Sequence, residues 1–199
     1  MILIKKLITD RKAGWQDVRN EVTSVGSCYA KYLIPLAAIG PIAAVIGVTQ
    51  IGWQVGGAEE PVTMTMNSAL QISIATFAAI LVVIMILGKT IRWMSSTYEG
   101  SQSMARCVAL ATFSAAPLFL SGISLLLPIP WLVYLIGLAA LGYSVALLYS
   151  GVPIMMEVNE EKGFLFASAI LALALVSLVG LLAVTVGFWS FGIGPVFST

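Results

Sequence analysis

The chain of 199 residues has no histidine, two cysteines and only 10% charged residues. Without histidine it loses the commonest general base, the usual zinc metalloprotease motif and most zinc centres. An ordinary soluble domain carries about 25% charged residues, so the charge deficit sets this chain well outside that class. With a net charge of +1 and no long basic run, it also lacks the clustered cationic surface that a nucleic-acid partner requires. The opening MILIKKLITDRK has neither the sustained apolar core nor the small-residue cleavage site of a signal peptide, and is expected to belong to the mature chain.

Apolar residues fill the space that charge leaves, at 59% of the chain. The stretch from Cys107 to Met156 contains no charged residue and is interrupted at its middle by LPIPW, Leu127 to Trp131. It is long enough for two passes of about 20 residues each, so it reads as a transmembrane helical hairpin. Apolar segments on either side complete five predicted spans, at 32–48, 68–87, 106–127, 131–150 and 164–189. The predicted fold is therefore all-α: a polytopic five-helix membrane bundle over residues 32–199, preceded by a segment, 1–31, that carries six of the ten basic residues. Within that segment Trp15, Val18, Val22, Val25 and Tyr29 recur at spacings of three and four. This spacing predicts an amphipathic helix whose apolar stripe packs on the ends of the membrane helices or lies in the headgroup layer.

Inside the spans the polar side chains are small. Pro41 and Pro117 predict kinks, and Gly40, Ala44 and Gly47 allow a neighbouring helix to come close. Gln71, Ser73 and Thr76 read as interhelical hydrogen-bond partners, since hydrocarbon offers them no water. Ser114, Pro117, Ser121 and Ser124 share one helix face, and Gly137, Ala140 and Ser144 another, with Gly151 just beyond. These read as packing faces. Trp53, Trp93 and Tyr98 are expected at interfacial depth, and the pair Glu59 and Glu60 as solvated loop carboxylates.

All ten basic residues sort to one side of a five-span topology. Lys5, Lys6, Arg11, Lys12, Arg19 and Lys31 precede the first span, Lys89, Arg92 and Arg106 lie between the second and third, and Lys162 between the fourth and fifth. By the positive-inside bias the N-terminus is expected in the cytoplasm and the C-terminus outside. Cys28 and Cys107 then sit near cytoplasmic helix ends, where no disulfide is expected.

With that topology, GVTQIGWQ, AAPLFLSGI, the LPIPW turn and LLYSGVPIMMEVNEEKG resemble the Yip family of integral membrane proteins, in particular its small bacterial inner-membrane branch. The resemblance covers about residues 30–190. It implies a bacterial inner-membrane protein acting through contacts with lipids, other membrane proteins or a second copy of itself. The positions that match the bacterial pattern are Gln50, Trp53, Pro117, Tyr149, Gly151, Pro153, Asn159, Glu160 and Glu161. Trp15 joins them from the amphipathic segment. Eukaryotic members carry an Asp-Leu-Tyr-Gly-Pro type motif before the first span; this chain has CYAKYLIP there, and no GTPase site is carried over.

Three function classes compete. A non-catalytic membrane scaffold or adaptor fits the resemblance and the polar face formed by the amphipathic segment and the NEEK loop. A small transporter, channel or lipid-handling protein fits the kinked, serine-bearing helices, although, apart from Arg106 at the very start of the third, no Asp, Glu, Lys or Arg falls inside a predicted span to couple ions. An enzyme fits least, because no serine, threonine or tyrosine of a span has a base beside it. No cofactor and no metal are expected.

Overall fold

The computed structural model describes residues 2–53, 61–97, 102–127, 129–190 and 196–198. Glu59, Glu60, Tyr98, Pro128 of the hairpin turn and residues 191–195 of the tail lie outside the described residues. Two short helices, α1 (Ile2–Thr9) and α2 (Arg11–Glu21), lead into five long ones. These are α3 (Val25–Ile51), α4 (Met66–Ser95), α5 (Met104–Leu126), α6 (Pro130–Met156) and α7 (Glu160–Ser190). All five are long and apolar enough to cross a membrane, and the protein is an all-α polytopic membrane protein. At about 1.5 Å per residue α4 is about 45 Å long, against a hydrocarbon layer of about 30 Å. The helices therefore run past the apolar stretches visible in the sequence.

The amphipathic stripe read through Trp15, Val18, Val22, Val25 and Tyr29 is divided between two helices. Val22 and Ser24 are extended, with φ/ψ of −85°/98° and −140°/154°. The Ser24 hydroxyl accepts the Ser27 N–H at 3.1 Å, which caps a new helix, so Val25 and Tyr29 belong to α3. The three-and-four spacing survives the break because Val22 stays buried within the connection. Asp10 caps α2 in the same manner, accepting from Ala13 N–H at 3.1 Å.

Proline shapes α3 and α5. Pro35 has no N–H to close a helical bond, and immediately before it the helix widens so that Ile34 N–H donates to Tyr29 carbonyl, five residues back. α5 is interrupted at Ala115 (φ/ψ −82°/−7°), resumes with Pro117 in its first turn, and tightens to a 3-10 helix over Gly122–Leu126. Pro117 cannot donate to the Phe113 carbonyl, so the break falls where the helical ladder is already weakest.

α5 is the hub, packed against α3, α4 and α6, while α6 and α4 carry α7. A methyl added at Gly122 would lie 2.6 Å from Gly40 Cα, and one at Gly88 2.6 Å from Val108 Cγ2. The densest packing joins the basic ends of these helices. There Trp15, Phe113, Phe166, Leu7, Met155 and Val108 are fully enclosed. At the far end Trp53 pairs with Val62, and Thr63–Met64 pairs antiparallel with Phe197–Ser198. The Ser68 hydroxyl accepts the Val196 N–H at 3.1 Å, which ties the end of the chain to the start of α4.

Gly122→Ala forces a methyl against backbone that cannot rotate away, so a loss of about 1–3 kcal/mol is expected. Gly137→Ala meets nothing within 4 Å and should be neutral. Unfolding midpoints of the two variants in one detergent check this: a lowered midpoint for the first alone is the expected result.

Candidate functional site at the turn between α6 and α7

Most of the residues singled out in the sequence converge at the turn between α6 and α7. α6 continues through Pro153 to Met156 and stops at Glu157, whose φ/ψ of 57°/39° is left-handed. A residue with a side chain pays for that conformation with about 1–3 kcal/mol, which surrounding contacts must offset. Here they are ionic. Arg19 of α2 and Arg106 of α5 both donate to Glu157 Oε1, the second at 3.2 Å. Arg106 also donates to Gln102 Oε1, and Gln102 Nε2 donates to the Met156 carbonyl at 3.1 Å. Two cations and an amide thus close the carbonyl end of α6, where the helix dipole favours positive charge.

α7 starts three residues later. The Asn159 side chain accepts the Lys162 N–H at 2.9 Å, and Glu160 and Glu161 occupy the first turn, exposed, at the end that favours carboxylates. Pro153 folds over Gly163, where an added methyl would lie 2.8 Å from Pro153 Cγ. Tyr149 fastens the two helices deeper down, its hydroxyl 2.8 Å from Ser168 Oγ and its ring 5.2 Å from that of Phe164.

Trp15 supplies the third wall. It is 0% exposed, and its Nε1–H donates to Ser150 Oγ at 3.3 Å. Its ring covers Gly151 so closely that a methyl there would lie 2.5 Å from Trp15 Cε2. Above it Arg19 holds Glu157; below it Tyr143 donates to the Leu7 and Ile8 carbonyls at 3.3 and 3.4 Å, and Arg11 lies 5.5 Å from the Tyr143 ring centroid. α1 and α2 are thereby laid along α6, with Lys6 and Asp17 bridging the pair.

The structure brings together Trp15, Tyr149, Gly151, Pro153, Asn159, Glu160 and Glu161, and separates the other three. Gln50 is exposed in the last turn of α3 at the far end, Trp53 follows it, and Pro117 lies at the break in α5. Arg19, Gln102, Arg106 and Glu157 belong to the site and were not singled out by sequence. Their pairings span 135 residues and more in the case of Arg19, and nothing local to the sequence marks them.

A separate cavity of about 260 Å³ lies between α4, α5, α6 and α7. Its lining is apolar except for serines, and the Ser114 and Ser144 hydroxyls are buried without a hydrogen-bond partner. Cys28 and Cys107 are buried free thiols, Cys28 Sγ standing 3.8 Å from Thr112 Oγ1. Among the described residues no group of three or more Cys, Asp or Glu could hold a metal ion.

A family model described as the Yip1 domain matches residues 5–181. Inner membrane protein YohC of Escherichia coli (strain K12) is 36% identical over 177 residues, 89% of this chain and 90% of that protein. The protein of the same name from Escherichia coli O6:H1 (strain CFT073) matches with the same figures. No solved structure matches the chain significantly.

Trp15→Ala removes a fully enclosed indole, a change of about 3–5 kcal/mol in a packed core. The expected outcome is loss of amide hydrogen-exchange protection over residues 11–21, with α6 protection unchanged. Protection retained over α2 would show that the ion pairs to Glu157 hold the helix without the indole.

Proposed function

Because the chain belongs to the Yip1 family of membrane proteins, we propose that it is a non-enzymatic scaffold or adaptor of the inner membrane. It works through contacts with other membrane proteins, a second copy of itself, or lipids. The location follows the relative named an inner membrane protein, and the basic end of the bundle, with the N-terminus, faces the cytoplasm by the positive-inside bias.

One observation carries this reading. Trp15 on Gly151 and the two arginines on Glu157 hold α2 rigidly against the turn between α6 and α7, beside the exposed acids Glu160 and Glu161. A composite edge built from distant parts of the chain, ordered before any partner arrives, loses little entropy on binding. Its exposed carboxylates suit a basic partner surface and set orientation more than affinity.

The test uses the full chain extracted in native lipid discs, with and without the paired change Glu160→Gln and Glu161→Gln. A stoichiometric membrane-protein partner present with the wild type and lost from the variant is the expected result. The same protein inventory in both preparations would remove the acidic edge from the proposal.

The cavity lined by Ser114 and Ser144 favours a second reading, handling of a neutral, bilayer-soluble solute or lipid, since space beside a broken helix is where membrane proteins hold such cargo. Ser144→Leu fills that space. If this reading holds, vesicles containing the wild type exchange a fluorescent lipid between leaflets and Ser144→Leu vesicles do not; no exchange by the wild type counts against it.

A further inference from the structure

At the basic end, on the side of α4 that faces α3 and α5, lies an open cleft of about 580 Å³. Its cationic wall is Lys89 and Arg92, one turn apart on α4; its apolar wall is Val25 of α3, Met85 of α4 and Met104 of α5. Trp93 stands at the rim and is 77% exposed. Met104 opens α5, so the positive end of that helix dipole also faces this region.

Among the described residues, the charge of this cleft is unanswered. Lys6 is paired with Asp17, Arg19 and Arg106 share Glu157, and Arg11 lies against the Tyr143 ring. Lys89 and Arg92 have no carboxylate in ion-pair reach among the described residues. Below them α4 presents Val82 and Ile86, 57% and 50% exposed, on the helix face that continues through Lys89 to Trp93. From the bilayer outward, that side of α4 reads as aliphatic surface, then Lys89 with Arg92 beside it, then an amphipathic ring at interfacial depth.

We propose that the cleft between α3, α4 and α5 binds one anionic phospholipid, its phosphate between Lys89 and Arg92 and an acyl chain along Val82 and Ile86. Each feature answers one part of that molecule. The guanidinium and ammonium groups meet the phosphate oxygens, the guanidinium in a fork that can bind two of them. The Trp93 indole sits where glycerol and ester groups lie, and the aliphatic stripe receives the chain. A zwitterionic lipid brings its own cation to a site that already holds two, and so binds less well. A soluble phosphate ester lacks the chain and forgoes the apolar half of the contact.

Native mass spectrometry of the full chain in detergent, with dioleoyl phosphatidylglycerol or dioleoyl phosphatidylcholine added, reads the bound lipid directly. The wild type is expected to retain one phosphatidylglycerol, and the Lys89→Gln, Arg92→Gln variant to retain about tenfold less or lower still. Lys12→Gln, on the exposed side of α2, and Arg92→Lys, which keeps the charge, should each retain the lipid. Both cleft residues are exposed, and an unchanged melting curve for the double variant confirms that the fold is intact. Equal retention of phosphatidylcholine, or undiminished phosphatidylglycerol on the double variant, overturns the proposal. Glycerol 3-phosphate competing as well as the lipid overturns it too, by making the cleft a soluble-phosphate site.

Discussion

Helix α5 occupies the centre of the bundle because α3, α4 and α6, the long helices packed on it, each bring a glycine up against it. α3 offers Gly40 against Gly122 and Gly47 against the Leu125 carbonyl, α4 offers Gly88 against Val108, and α6 offers Gly151 against Leu110 and Trp15. In a bilayer, burying apolar surface between helices gains little over burying it in lipid. Association then depends on dispersion contacts that only small residues permit. The hub also tolerates its own irregularity. The bend at Ala115 and the 3-10 turn over Gly122–Leu126 bring α5 onto α3, and a straight α5 would present a different face to Gly40.

The same close approach explains why the candidate site is ordered. Gly151 admits the Trp15 ring, and once the indole is enclosed α2 has a fixed register on α6. Arg19, one turn beyond Trp15, then reaches Glu157 without further ordering of the chain. Exposed ion pairs contribute only about 0–1 kcal/mol each, so the indole supplies most of the attachment and the arginines fix its orientation. The left-handed Glu157 is tolerated because that backbone conformation leaves its carboxylate between two guanidinium groups, whose contacts offset the strain.

Fold class and span number were legible in the sequence because hydrocarbon imposes one requirement, a long apolar helix that satisfies its own backbone, and hydropathy reports that directly. Boundaries were less so. The stripe from Trp15 to Tyr29 kept its spacing across the break at Val22–Ser24, since burial and not helical continuity sets the pattern. α1 was not singled out as an element, although Leu3 and Leu7, four apart, are both buried. Within the site, Gly151 could be read from the small-residue face it continues, whereas Pro153 and Asn159 were reached through the family pattern. The Arg19–Glu157–Arg106 set could not, because a charge in a loop carries no mark of which distant charge it will meet. The placement of Gln50, Trp53 and Pro117 shows the converse: matches to one family pattern do not have to share one location.

The two N-terminal helices lie against only one end of the bundle. Near Trp15 a section through the protein cuts α1 or α2 in addition to the long helices, whereas among the described residues the far end adds to the long helices only the short pairings of Trp53 with Val62 and of Thr63–Met64 with Phe197–Ser198. With a helix about 10 Å across, the basic end is wider by roughly 80–160 Å² of cross-section. Among the described residues, the helices therefore form a taper and not a cylinder. Lipids or proteins packed around it meet an inclined wall, and copies placed side by side, touching along their flanks, would fan apart at their broad ends.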